Sequence, residues 1–203
     1  PAIPEGPDWV MFDLEGFPPQ LHDDEKVFVW GLEVFGAKAR PYFAATPGRG
    51  SDGDRSAWER FLTEAEVILD AYGDIAFVHW APYERVRLDA YVTRFGDPKG
   101  IAARVRKSLF DMYPVVRDSV ALPLPSYSLK VIEQHVGYDR KLKDAGGDWA
   151  MATYFEATET GDHVKAAELV SQVLDYNRED LEATFAVFDW LRRRRKSRRA
   201  ALS

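Results

Sequence analysis

The chain has 203 residues and is 46% apolar, with 12 Phe, 9 Tyr and 6 Trp, enough to bury one sizeable core and to exclude a disordered tail, a collagen-like repeat or a disulfide mini-protein. It contains no cysteine, which removes disulfides, thiolate zinc sites, iron–sulfur clusters and cysteine nucleophiles together and leaves carboxylates, hydroxyls, imidazoles or a bound metal for any chemistry. The net charge of −6 is uneven, because Arg192, Arg193, Arg194, Arg195, Lys196, Arg198 and Arg199 crowd one end and leave 20 basic residues against 33 acidic ones in the rest.

Asp8 to Glu15 reads as a strand that breaks at Gly16, and Lys26 to Phe35 as a second strand rich in β-branched and aromatic residues. A third short strand is expected at Arg40 to Ala45, followed by turn-forming residues from Thr46 to Asp54. Trp58, Phe61, Leu62, Ala65, Ile68, Leu69 and Tyr72 then recur at helical spacing, and Gly73 ends that helix. Ile75 to Trp80 is an unbroken apolar run of the kind found in a strand covered on both faces. Pro82 can open a helix that continues through Val86, Leu88, Ala90 and Tyr91 toward Gly96. After Leu109 to Met112, the prolines between Leu122 and Ser126 predict an extended connection. Ser128 can cap a helix ending at Gly137, Trp149 to Thr160 is helical by pattern, and the longest helix runs from about His163 to Arg195. Strands alternating with helices predict a single α/β domain with no internal repeat or linker, whose ligands gather at the carboxyl ends of the strands.

The carboxylates follow that geometry. Asp13 and Glu15 are two apart on the first strand, so the pleat sends both to one face and Phe12 and Leu14 to the other. A like-charged pair where water is scarce calls for a divalent cation, and hard oxygen donors suit magnesium or manganese. A solvated strand face would read the same way. On the last helix, Leu169, Val170, Val173, Asn177, Leu181, Thr184 and Phe188 define an apolar stripe from which Asp180 projects, with Tyr176 one turn earlier. A carboxylate on that side needs a partner, either an arginine, a cap or a metal shared with the strand pair. Asp175, Glu179 and Glu182 are expected to be solvated. Glu84 would sit in the first turn of its helix, at the same sheet edge as Asp13 and Glu15, where a helix dipole also favours an acid. His79 reads most simply as a strand-end histidine, and Asp111 as a turn residue or an outer carboxylate. His22, His135 and His163 have no partners at metal-binding spacing.

In this order the motifs resemble the ribonuclease H-like 3′–5′ exonucleases of the DEDD type, and most closely the ribonuclease H-like domain of predicted RecB-family nucleases. Phe12-Asp13-Leu14-Glu15-Gly16 matches the family's Asp-x-Glu strand, and His79-Trp80-Ala81-Pro82-Tyr83-Glu84 matches its second motif with Glu in place of Asp. Tyr176-Asn177-Arg178-Glu179-Asp180 matches the third, and the segment from Ser126 to Gly137 looks like the Ser-Leu-Lys helix that precedes it. The resemblance spans Asp8 to Phe188. Gly16-Phe17-Pro18-Pro19 departs from the Thr-Thr-Gly that related exonucleases often carry there.

The resemblance implies a mixed sheet flanked by helices in a single domain over 1–203, with a basic tail from 192 to 203. It implies two ions, Mg²⁺ or Mn²⁺, held by Asp13, Glu15, Glu84 and Asp180, with Tyr176 orienting the attacking water in the hydrolysis of a phosphodiester. The partner would be nucleic acid, DNA or RNA, engaged at a single-stranded end. One rival is a binding or assembly module that has kept the fold and lost efficient chemistry, its phosphate contacts made by the Arg-rich tail. Another is a metal-dependent phosphatase acting on small substrates. The tail also reads as a solvated or flexible helix end. No Gly-x-Gly-x-x-Gly or Gly-x4-Gly-Lys-Ser/Thr loop occurs, which argues against a nucleoside-triphosphate enzyme. No apolar run reaches bilayer length and no signal-peptide pattern opens the chain, so a soluble, cytoplasmic protein is expected. The start at Pro1 fits a domain cut from a longer parent protein.

Overall fold

A computed structural model of the chain describes residues 3–18, 26–48, 52–119 and 122–200, the last five of these by main chain alone. Among them are five strands and seven helices. The strands are β1 (Asp8–Gly16), β2 (Val27–Gly36), β3 (Arg40–Ala45), β4 (Phe77–His79) and β5 (Leu109–Asp111). The helices are α1 (Gly53–Tyr72), α2 (Tyr83–Phe95), α3 (Ile101–Ser108), α4 (Met112–Ser119), α5 (Leu129–His135), α6 (Gly147–Glu159) and α7 (His163–Ala200).

The strands form one sheet in the order β3-β2-β1-β4-β5. β1, β2 and β3 pair antiparallel, whereas β4 joins β1, and β5 joins β4, in parallel. The alternation of β1 divides the molecule into two layers. Val10, Phe12 and Leu14 face a core shared with Trp58, Phe61 and Leu69 of α1, Leu88 of α2 and Val105 of α3. Trp9 and Met11 face the opposite core, with Val116 of α4, Ile132 of α5 and Leu181 and Phe188 of α7. Asp13 and Glu15 continue that second face, beneath α7. A third cluster joins Phe28 and Val29 of β2 to Ala150 and Tyr154 of α6 and Val173 of α7.

The connection between α2 and the extended segment after α4 is richer than expected. Two eight-residue helices, α3 and α4, bracket a three-residue parallel strand, β5, which ends on Asp111. The expected strand at Ile75 to Trp80 contracts to Phe77–His79. Ser128 precedes α5 as anticipated, although its side chain makes no cap hydrogen bond.

As far as its side chains are described, to Arg195, the basic end is neither a detached extension nor a fully solvated face. α7 continues through it to Ala200. Arg192 lies over the Trp9 ring at 3.7 Å, and Arg195 donates to the Ile3 carbonyl and to Glu5, at 3.0 and 2.8 Å. Pro19, His22 and the side chains of Lys196, Arg198 and Arg199 lie outside the described residues. No helix among the described residues is long and apolar enough to cross a membrane.

Candidate active site

β1 brings Asp13 and Glu15 to the carboxyl edge of the parallel strands, and α7 crosses that face so that Asp180 meets them. One carboxylate oxygen of each lies within 4.8 Å of the other two. The close crossing is permitted by Gly31, which pairs with Asp13 across β2. A β-carbon at Gly31 would collide with the Asn177 side chain, so glycine lets α7 lie against the sheet. Asn177 fills the space. Its Nδ2 donates to Asp13 Oδ2 at 2.7 Å, and its Oδ1 accepts from the Tyr42 hydroxyl at 2.9 Å.

Asp180 is held from its other side by Arg140, whose Nη2 donates to Asp180 Oδ1. The same guanidinium is anchored on Glu133, with Nη2 to Oε2 at 2.8 Å and Nε to Oε1. Gly137, with φ of +87°, turns the chain after α5 and returns Arg140 to Glu133. Glu179, expected to be solvated, is instead buried and accepts the main-chain N–H groups of Lys141 and Leu142 at 2.8 and 3.1 Å. Its partners are the two residues after Arg140, so α7 clamps the loop that carries the arginine. Glu182 is partly covered and accepts from Tyr138 at 3.0 Å, while Asp175 is exposed as expected.

Glu84 is only 2% exposed at the start of α2 and stands outside the three-acid group. His79 Nδ1 lies 3.1 Å from Glu84 Oε2 and 2.8 Å from the Ala81 carbonyl. Two acceptors facing Nδ1 place a hydrogen there, and Nε2 is buried with no partner among the described residues. Ala81 adopts φ of +70°, a left-handed conformation that costs a non-glycine residue about 1–3 kcal/mol. Its N–H donates to Asp111 Oδ1 at 3.0 Å, so the end of β5 supports the strained turn that delivers Glu84.

The electrostatics are those of an under-compensated anionic pocket. Burial, then the charges of Glu15, Asp180 and Glu84, push the Asp13 carboxyl well above its ordinary range. Burial and Asp180 do the same to Glu15. Asp180 is raised mainly by burial, against the pull of Arg140 and a hydrogen bond from Tyr176. Glu84 is also raised by burial, partly offset by His79. Three oxygen donors from separate carboxylates, close together and short of positive charge, fit a hard divalent cation. Tyr176 is buried beside Asp180, with the Arg140 and Lys130 cations 5.8 and 5.5 Å from its ring.

Asp13, Glu15, Tyr176 and Asp180 thus converge as the sequence suggested, with Glu84 adjacent and tied to His79. An arginine was one of the partners expected for Asp180, but that it is Arg140, and the parts played by Glu133, Asn177 and Tyr42, were not anticipated. No local signal marked Arg140 or Glu133, because the burial of Glu133 beside Ile132 arises only once α5 has packed.

A mixed sheet with acids gathered under a crossing helix at its carboxyl edge defines a ribonuclease H-like α/β protein. The family model described as RNase_H superfamily matches residues 10–192, and the chain belongs to that superfamily, which supports a nuclease-like function on nucleic acid. No curated protein matches the chain.

Proposed function

We propose that the chain is a metal-dependent nuclease that hydrolyses phosphodiester bonds as a 3′–5′ exonuclease of the DEDDy type, akin to the ribonuclease H-like domain of RecB-family nucleases. The observation that carries this reading is the convergence of Asp180 with Asp13 and Glu15, acids more than 160 positions away in the chain, to within 4.8 Å. Asp13, Glu15 and Asp180 would hold Mg²⁺ or Mn²⁺ with Glu84 as the fourth acid, and two such ions supply Lewis acidity for an in-line displacement at phosphorus. The chain's own residues do the rest. Asn177 fixes the rotamer of Asp13, His79 fixes that of Glu84, and Tyr176 offers its phenol to orient the attacking water. Residues 1–203 form one exonuclease domain, with 192–203 as a basic tail.

A single-stranded end suits the surface beside the cluster. Phe17 follows Glu15 by two residues and borders a groove lined by Lys26, Tyr154, Phe155 and Thr158, which shares Lys26, Tyr154 and Thr158 with a second cavity that reaches His163; neither has a carboxylate among its described lining residues. In so acidic a protein, such a groove is where a phosphate chain meets least repulsion, and its aromatic rings offer faces for bases to stack on.

End-labelled single-stranded DNA and RNA, incubated with the protein and Mg²⁺ or Mn²⁺, should be shortened from the 3′ end, and Asp13→Ala or Asp180→Asn should lower turnover by at least about 10³-fold with binding largely kept. Intact label with the wild-type protein rules the reading out. The second reading, a binding module with weak chemistry, draws support from Arg140, which already compensates Asp180 without metal. It is distinguished by oligonucleotide binding that is unaltered by EDTA and accompanied by no turnover.

A further inference from the structure

The donors of Arg140 are not all used. The residue is 7% exposed, yet its Nη1 has no hydrogen-bond partner among the described residues. Guanidinium geometry indicates where that donor faces. The edge formed by Nε and Nη2 is taken bidentately by Glu133. Nη2 has one hydrogen left, on the edge it shares with Nη1, and that hydrogen is given to Asp180. Of the two hydrogens on Nη1, both without an acceptor, one points back toward the Cδ side and the other therefore lies on the Asp180 edge, beside the carboxylate cluster. A buried donor without an acceptor is unfavourable, and a residue held by two acids at once has no rotameric freedom to relieve it. The nearby acidic oxygens attract cations, so an acceptor arriving from outside has to be an anion that comes with them.

We propose that Arg140 is a substrate-contacting residue whose Nη1–H donates to a non-bridging oxygen of the phosphoryl group under attack, while Nη2 holds Asp180 in place. The inference rests on the nuclease reading above. In the displacement a bond forms between the water oxygen and phosphorus, the bond from phosphorus to the 3′ oxygen breaks with its electron pair left on that oxygen, the proton lost by the water is balanced by the one the 3′ oxygen takes up, and Arg140 neither gains nor loses a proton. Its hydrogen bond strengthens as negative charge builds on the phosphoryl oxygens, which places its effect in the turnover step. The rigid fork also explains the buried pairing with Glu133: this acid compensates the arginine's charge and aims its other edge.

Arg140→Lys keeps a cation and loses the fork. The expected result is a fall of about 10²–10³-fold in kcat, with Mn²⁺ affinity, measured by electron paramagnetic resonance without substrate, within about threefold of wild type. Arg140→Ala, whose truncated side chain leaves room for the ion, should lose kcat likewise and recover part of it in millimolar guanidinium. If Arg140→Lys does not fold, the double substitution Arg140→Met with Glu133→Leu replaces the buried pair by apolar groups of similar size and should show the same loss. Unchanged kcat overturns the proposal, as does a loss of kcat matched by lost Mn²⁺ affinity with no rescue, which would make Arg140 purely structural. An inert wild-type protein would bring down the nuclease reading and this inference with it, whereas an active wild type with an equally active Arg140→Lys brings down this inference alone.

Discussion

Asp13 shows how one residue's environment becomes a property that can be measured. Burial and three neighbouring acids raise its pKa on folding, so the folded chain holds that proton more tightly than the unfolded chain does. The associated stability is fully present below the unfolded value, near pH 4, and is lost as pH rises through the folded value. In EDTA, the melting temperature of the wild type should therefore fall more between about pH 5 and pH 8 than that of Asp13→Asn, and millimolar Mg²⁺ should remove the difference. Parallel pH dependences for the two proteins would show that the pocket is not short of positive charge. The Asp-x-Glu spacing revealed that these two acids share a face. It could not reveal Asn177 against Asp13, because an asparagine within an apolar helical stripe looks like an ordinary interruption until Gly31 is seen opposite it.

At the scale of elements, the approach of α7 to β2 decides whether the site forms. Gly31→Ala places a methyl group where the Asn177 side chain lies, and overpacking of this kind costs about 1–3 kcal/mol. Urea denaturation should register that loss, and turnover should fall further than stability because Asp13 loses its positioning partner. Full stability with normal turnover would mean that α7 shifts without consequence for the acids. Long elements were legible: β1, β2, β3, α1 and α7 carry enough alternation or helical periodicity to declare themselves. β5, α3 and α4 were not, since three half-buried residues and two eight-residue helices are too short for period to separate them from loop.

For the whole molecule, the basic end separates the two functional readings. Arg192 and Arg195 are committed to Trp9, Ile3 and Glu5, so they fasten the start of the chain to α7. Truncation after Arg195 should leave turnover within about threefold at low salt and make oligonucleotide binding less salt-dependent. Truncation after Leu191 should also lower the melting temperature, by about 2–4 °C for each kcal/mol of lost packing. If removing 196–203 alone abolishes binding, the binding-module reading gains and the acid cluster loses its claim to the substrate.

The sequence by itself determined the layering, the long elements, the sheet edge at which function would gather and the acids of the cluster, because these depend on periodicity and on the chemistry of single side chains. Only the tertiary structure decided what surrounds those acids: Arg140 returning to Glu133, Glu179 clamping the loop behind it and Asn177 reaching Asp13 past a glycine. Such partners are chosen by proximity in space after the chain has packed, and no local pattern along it records which buried charge will meet which.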